Sequence, residues 1–214
     1  MTVFRTRLER MPVIAILRGV QPDEVVPIGR ALVEAGIDIM EVPLNSPDPL
    51  ASIGRLRADL GPNGFVGAGT VMTRWQVGEV RAAGGEFIVM PHSDPEVVRA
   101  AKAVRLPCAP GVATPTEGFA ALANGADALK LFPGEAITPS VVKAWRAVFP
   151  PGTVMLPVGG VTAENVAEYV AAGADGFGLG SALYKPGLTA DEVGRRAAAF
   201  VAAWESARGD AAAA

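Results

Sequence analysis

Asn124-Gly125-Ala126-Asp127-Ala128-Leu129-Lys130-Leu131-Phe132-Pro133 reads as a helix end, a turn, and a strand that carries one ammonium. A glycine closes a helix by adopting a left-handed conformation. The apolar run behind it has the length and composition of a strand. Two other stretches follow the same pattern: Ala35-Gly36-Ile37-Asp38-Ile39-Met40-Glu41 and Ala172-Gly173-Ala174-Asp175-Gly176-Phe177-Gly178. Outward from these, short apolar runs predict strands near 13–17, 39–42, 65–68, 87–90, 107–109, 128–131, 154–157 and 176–179. Helical segments separate them, among them 23–35, 73–83, 115–124, 138–148 and 162–172. Eight strands, each followed by a helix, predict an α/β chain folded as a (β/α)8 barrel. The alternative, a doubly wound sheet, usually has fewer strands. One barrel domain is expected over 1–207, with a frayed tail over 208–214.

The repeat also sets a register. Five residues after Gly36, Gly125 and Gly173 stand Glu41, Lys130 and Gly178, and the same count from Gly84 reaches Val89. These belong to alternate strands, and alternate strands fill one interior layer of such a barrel. Two opposite charges and a glycine do not make a packing layer. They place a carboxylate opposite an amine near the C-terminal mouth, with space left at Gly178. A structural ion pair is the competing reading, but buried pairs are poor sources of stability.

Lys130 is one of four lysines and the only one set in such an apolar run. Burial disfavours the ammonium, so the amine tends to lose its proton. A neutral amine is a nucleophile that can form a Schiff base with a carbonyl compound. The alternative is a packed stem with its head in water at the strand end.

Bulk properties narrow the field. The 214 residues can bury a full core; half are hydrophobic, and 25 glycines and 18 prolines fit a turn-rich globular chain. A net charge of −3 without a basic stripe argues against nucleic-acid and membrane partners. The run 13–17 is too short for a signal segment or a membrane span. Cys108 is the lone cysteine, which points to a reducing cytoplasm. His92 is the lone histidine, which weighs against catalytic triads and histidine-rich metal sites, and no cofactor is implied.

Two glycine-rich turns follow the last two strands: Val158-Gly159-Gly160-Val161-Thr162 and Gly178-Leu179-Gly180-Ser181. In a barrel these loops, backed by a helix N-terminus, bind phosphate through backbone N–H groups, although Gly-Gly is also ordinary turn composition. Arg18 closes the first strand and Thr70 the third, at the same mouth. There they could hold a carboxylate or a polar chain, or be plain strand-end residues. His92 and Cys108 read as structural or lining residues.

Assembled, these residues resemble the Schiff-base pyruvate aldolases of the KDPG/KHG family, which cleave 2-keto-3-deoxy-6-phospho sugar acids. The resemblance runs from about Pro12 to Gly187. It is carried by Ile14-Ala15-Ile16-Leu17-Arg18-Gly19, Glu41-Val42-Pro43-Leu44-Asn45-Ser46, Gly67-Ala68-Gly69-Thr70-Val71, Leu129-Lys130-Leu131-Phe132-Pro133 and Val158-Gly159-Gly160-Val161. The resemblance implies that Lys130 forms the Schiff base and Glu41 transfers protons. It further implies that Arg18 and Thr70 bind substrate and that Gly159, Gly160, Gly180 and Ser181 take the phosphate of a small phosphorylated 2-keto-3-deoxy sugar acid. A cytoplasmic homotrimer without metal is implied as well. Gluconate-type members usually carry Glu-Val-Thr-Leu-Arg and a Thr before Gly-Gly. Pro43, Asn45 and Val158 depart from that pattern toward the galactonate type, with Arg18 as replacement for the missing arginine. A gluconate or 4-hydroxy-2-oxoglutarate substrate, a phosphosugar isomerase or epimerase, and a non-catalytic phosphometabolite-binding barrel remain as alternatives.

Overall fold

The computed structural model describes residues 2–213, with side chains through 209. Nine short strands alternate with helices: β1 (Val13–Ile16), β2 (Ile39–Pro43), β3 (Phe65–Gly69), β4 (Ile88–Val89), β5 (Cys108–Ala109), β6 (Gly111–Val112), β7 (Leu129–Leu131), β8 (Met155–Pro157) and β9 (Phe177–Leu179). They occupy the eight predicted strand positions, because Pro110 splits the fifth into β5 and β6. Proline has no N–H to offer a ladder, so regular pairing stops there. All pairings are parallel, in one arc of order β5-β4-β3-β2-β1-β9 and another of order β6-β7-β8. A single bridge, Val158 to Gly178, joins β8 to β9. β1 pairs with both β2 and β9, a joining of first and last strands that a doubly wound sheet lacks. The fold is the expected α/β barrel, with its regular ladder in two arcs rather than one.

Strand parity decides what faces inward. Ile14, Ile39, Phe65, Phe87, Val89, Ala109, Ala128, Val154 and Leu156 form the inner cluster, while their strand neighbours Val13, Met40, Val66, Ile88, Leu129, Met155 and Phe177 pack outward against the helices. This is the period-two alternation of a strand buried on both faces. The helix α1 (Val3–Arg10), not anticipated from the sequence, closes the N-terminal end. Its Phe4 and Leu8 join the inner cluster, and Phe4 stacks on Phe65 and Phe87 at 6.1 and 5.5 Å between ring centres.

The predicted glycine turns are present on all four alternate strands. Gly36, Gly84, Gly125 and Gly173 have φ of 97°, 89°, 96° and 89°. In each, the next residue donates its N–H to the carbonyl five positions earlier, as in Ile37 to Leu32 and Ala126 to Ala121. Two residues past each glycine stands an acid paired with a cation: Asp38 with Arg7 and Arg10, Glu86 with Arg57 at 2.9 Å, Asp127 with Lys102 at 2.6 Å, and Asp175 with Arg146. Three of these acids also accept a backbone N–H from the preceding strand, at Val66, Cys108 and Met155. The acids tie the lower ends of the strands together.

Two helices differ from expectation. α8 (Val166–Ala171) starts four residues later than predicted, because Asn165 accepts the Thr162 N–H and donates to the Gly160 carbonyl, holding a turn there. The last helix, α9 (Ala190–Ala213), keeps helical backbone through 208–213, where fraying was expected; Ala214 lies outside the described residues.

Candidate active site

Glu41 and Lys130 sit on the inner face of β2 and β7, one register step above the apolar inner cluster. Glu41 is 1% exposed and Lys130 5%, and each charge acts on the other. Burial pushes the Glu41 carboxyl up to about 7, against the opposing pull of Lys130, Arg18 and the Gly69 N–H. Burial likewise pulls the Lys130 ammonium below its ordinary range, opposed by Glu41 and helped by Arg18. Burial thus moves the carboxyl and the ammonium toward each other, and their titrations belong to the pair.

The space for that pair comes from glycines. A Cβ built on Gly69 would overlap the Glu41 carboxylate, and one on Gly178 would meet Val158 at 2.6 Å. Glu41 Oε2 is buried without a hydrogen-bond partner among the described residues. An unsatisfied buried acceptor is costly and marks a place where a ligand hydroxyl or water fits. The Lys130 Nζ lies 4.4 Å from the centre of the Phe132 ring, which covers one side of the amine.

Lys130 opens into a cavity of about 480 Å³ at the C-terminal mouth. Of the residues singled out from the sequence, Arg18, Lys130, Gly159, Gly160, Gly180 and Ser181 line it. Glu41 and Thr70 stand behind this lining. Thr70 reaches Arg18 at 3.5 Å, and its φ of 55° is unusual for a β-branched residue. Arg18 also donates to Asn45 Oδ1 at 2.6 Å, so a neutral amide orients the guanidinium.

At the far end of the cavity, Gly159 and Gly160 have φ of 106° and 68°, open only to glycine at little cost. A single helical turn follows Gly180, whose carbonyl accepts from both Leu183 and Tyr184. The N–H groups of Ser181 and Ala182 precede any helical acceptor. The helix expected behind Gly159–Gly160 begins only at Val166, so two turns, not a helix end, face the cavity there.

Cys108 and His92 do not line the cavity. Burial and Asp127 push the Cys108 thiol up to about 12, so it stays protonated and inert. The His92 carbonyl accepts the Gly111 N–H beside the split strand. Among the lining residues to which the sequence assigned no role are Phe132, Glu135 and Lys185, which stand in loops where no periodicity assigns direction.

Comparison with known proteins places this chain in a family. The family model described as KDPG and KHG aldolase matches residues 4–197. A probable 2-dehydro-3-deoxy-6-phosphogalactonate aldolase of Rhizobium meliloti is 46% identical over 199 residues, covering 92% of this chain and 93% of that protein. The 2-dehydro-3-deoxy-6-phosphogalactonate aldolase of Escherichia coli is 43% identical over 198 residues, covering 92% and 97%. A solved structure described as native KDPGal superposes with a TM-score of 0.92 at 43% identity, covering 94% of this chain and 97% of that one. Matched by the family model over residues 4–197 and by relatives over nine-tenths of its length, the chain belongs to the KDPG and KHG aldolase family.

Proposed function

We propose that the protein is a Schiff-base aldolase that cleaves 2-dehydro-3-deoxy-6-phosphogalactonate to pyruvate and glyceraldehyde 3-phosphate. The observation that carries this reading is the buried Lys130 amine beside the partnerless Glu41 carboxylate, at the head of a cavity that ends in two glycine turns. The galactonate relatives give the substrate class.

In this reading the neutral Lys130 amine attacks the carbon-2 ketone, and the carbinolamine, protonated by Glu41, loses water to give a protonated imine. The imine accepts the electron pair of the breaking carbon 3–carbon 4 bond and becomes an enamine. Glu41, directly or through one water, takes the carbon-4 hydroxyl proton and returns it to carbon 3. Hydrolysis of the imine then frees pyruvate and the amine. Arg18, steadied by Asn45 and Thr70, holds the substrate carboxylate. The backbone N–H groups of Gly159, Gly160, Gly180 and Ser181 hold the phosphate, which fixes the chain's register over Lys130.

Asn45 supports the galactonate assignment. An arginine there would stand against the Arg18 guanidinium that Asn45 now accepts from. Among the described residues no helix is long and apolar enough to cross a membrane. A cytoplasmic homotrimer is part of the same proposal. Trp75 and Met72, 71% and 49% exposed, are apolar surface that a subunit contact would cover.

The test is pyruvate release by purified protein from the galactonate and gluconate 6-phospho acids side by side, with borohydride reduction of the imine on Lys130. Preference for the galactonate acid with reductive trapping supports the whole reading. Equal rates leave Lys130 in place and remove the specificity argument from Asn45. Absence of both product and trapped adduct would return the isomerase and binding-barrel readings.

A further inference from the structure

Glu135 is a carboxylate in the wall of the substrate cavity to which neither the fold nor the steps above give a task. It follows the Phe132-Pro133-Gly134 turn, so its backbone leaves the strand that carries Lys130. Its side chain crosses to the opposite turn. A Cβ built on Gly159 would lie 2.9 and 3.1 Å from the two Glu135 carboxylate oxygens, and one on Gly160 would lie 3.9 Å from its Cγ. The turn beneath it is fixed by the Gly134 N–H, which donates to the Val158 carbonyl at 2.8 Å. Glu135 takes part in none of the ion pairs among the described residues.

A free carboxylate beside a phosphate cradle is unfavourable unless it has something to accept, because like charges at close range repel. The substrate offers such a donor. Between the carbon that bonds Lys130 and the phosphate ester, it carries the carbon-5 hydroxyl, which takes no part in bond cleavage. The Glu135 carboxylate lies against Gly159, at the phosphate end of the cavity that Lys130 opens into, and the carbon-5 hydroxyl is the substrate's donor nearest that end. Hydrogen bonds to charged acceptors are stronger than neutral ones, which offsets the repulsion.

We propose that Glu135 is a specificity-determining residue that accepts a hydrogen bond from the hydroxyl next to the phosphate-bearing carbon, selecting 2-hydroxy aldehyde phosphates over deoxy analogues. The proposal rests on the aldolase reading above and adds a recognition element to it.

The test runs the reaction toward synthesis, adding pyruvate to glyceraldehyde 3-phosphate or to 3-oxopropyl phosphate, which lacks the hydroxyl. The native protein is expected to favour the hydroxylated aldehyde in kcat/KM by about tenfold or more. Glu135→Ala is expected to bring the ratio near one, chiefly by loss on the hydroxylated aldehyde, while Glu135→Gln, still an acceptor, keeps part of it. Two outcomes overturn the proposal. An unchanged ratio with both aldehydes improved in Glu135→Ala means that the carboxylate only repels phosphate. An unchanged ratio and unchanged rates mean that it is an idle wall residue. If the native protein gives no product with either aldehyde and no borohydride-trapped pyruvate adduct, the aldolase reading itself has failed, independently of Glu135.

Discussion

The two ends of the barrel are built from one repeated element and handle charge in opposite ways. At the N-terminal end, the residues two past each helix-closing glycine are acids, and each has a cation or a backbone N–H to satisfy it. At the C-terminal end, five past the same glycines, Glu41 and Lys130 are buried with their ordinary protonation disturbed and in no ion pair among the described residues; Asp38 Oδ1 and Glu41 Oε2 both lack a hydrogen-bond partner, but only the Asp38 carboxylate has cations against its other oxygen. Even the cavities contrast: the larger, about 790 Å³, lies at the lower end around Arg7, Arg10 and Asp38, yet those three charges are paired with one another. Size therefore does not find the chemistry. Buried charge outside any ion pair does.

Removing the amine breaks the contrast most severely. Lys130→Met is expected to abolish turnover and borohydride trapping while the circular dichroism spectrum stays native. Residual steady-state cleavage by pure protein would take Lys130 out of the mechanism. Because Glu41 can take up a proton once Lys130 is gone, the fold should survive. The double variant Lys130→Met with Glu41→Leu should be more stable than the native chain, by about 1–4 kcal/mol if it follows other buried pairs replaced by apolar groups. Lower stability in that double variant would show that the mouth pair also holds the fold.

The lower end should behave in the opposite sense. Asp38→Ala strands Arg7, whose side chain is largely buried, and is expected to cost about 3 kcal/mol in chemical denaturation. Its kcat should stay near native below the melting temperature. A large loss of kcat with unchanged stability would reverse the assignment of the two ends.

Glu41→Gln sharpens the comparison. Imine formation should persist, with cleavage slower by about 10²-fold, read by single-turnover pyruvate release. The acid limb of kcat/KM should lie near pH 7 in the native protein, where the Glu41 carboxyl sits, and vanish in the variant. Stability gives a second readout. A carboxyl raised from 4.5 to about 7 binds its proton more tightly when folded, so the native chain loses stability as pH rises through that window. Glu41→Gln should flatten the loss. A parallel pH curve in both proteins would mean that Glu41 is not the group titrating.

Much of this was legible beforehand, and the reason is geometric. A helix-closing glycine fixes the phase of the strand behind it, so counting from Gly36 and Gly125 brought Glu41 and Lys130 together without any coordinates. The outward or inward facing of strand residues follows from the same parity. Loops carry no such phase. Glu135, four residues past the end of β7, and the orienting bond from Arg18 to Asn45 depend on turns whose direction no periodicity records. The lower acids were visible as Asp38, Asp127 and Asp175 in the repeat, but their cations come from distant or preceding helices. Nor does sequence spacing announce that α1 would fold under the barrel and place Phe4 in its floor.

The smallest effect separates members of the lower ring from one another. Lys102 pairs with Asp127 at 2.6 Å, but the lysine side chain is 37% exposed, so water competes for its charge. Lys102→Met should therefore change stability by less than about 1 kcal/mol, as exposed pairs generally do. Asp127→Ala should cost more, about 2 kcal/mol, because the Cys108 N–H at 2.9 Å then loses its acceptor at the split of the fifth strand. If the two variants cost the same, the ring is held by its ion pairs. If only the aspartate matters, Glu86, Asp127 and Asp175 act as caps on strand ends, with their cations as solvated companions, and Asp38 alone among the four depends on its arginines. Glu41 has the Gly69 N–H but no ion pair among the described residues, which leaves Oε2 free for the proton transfer proposed for it.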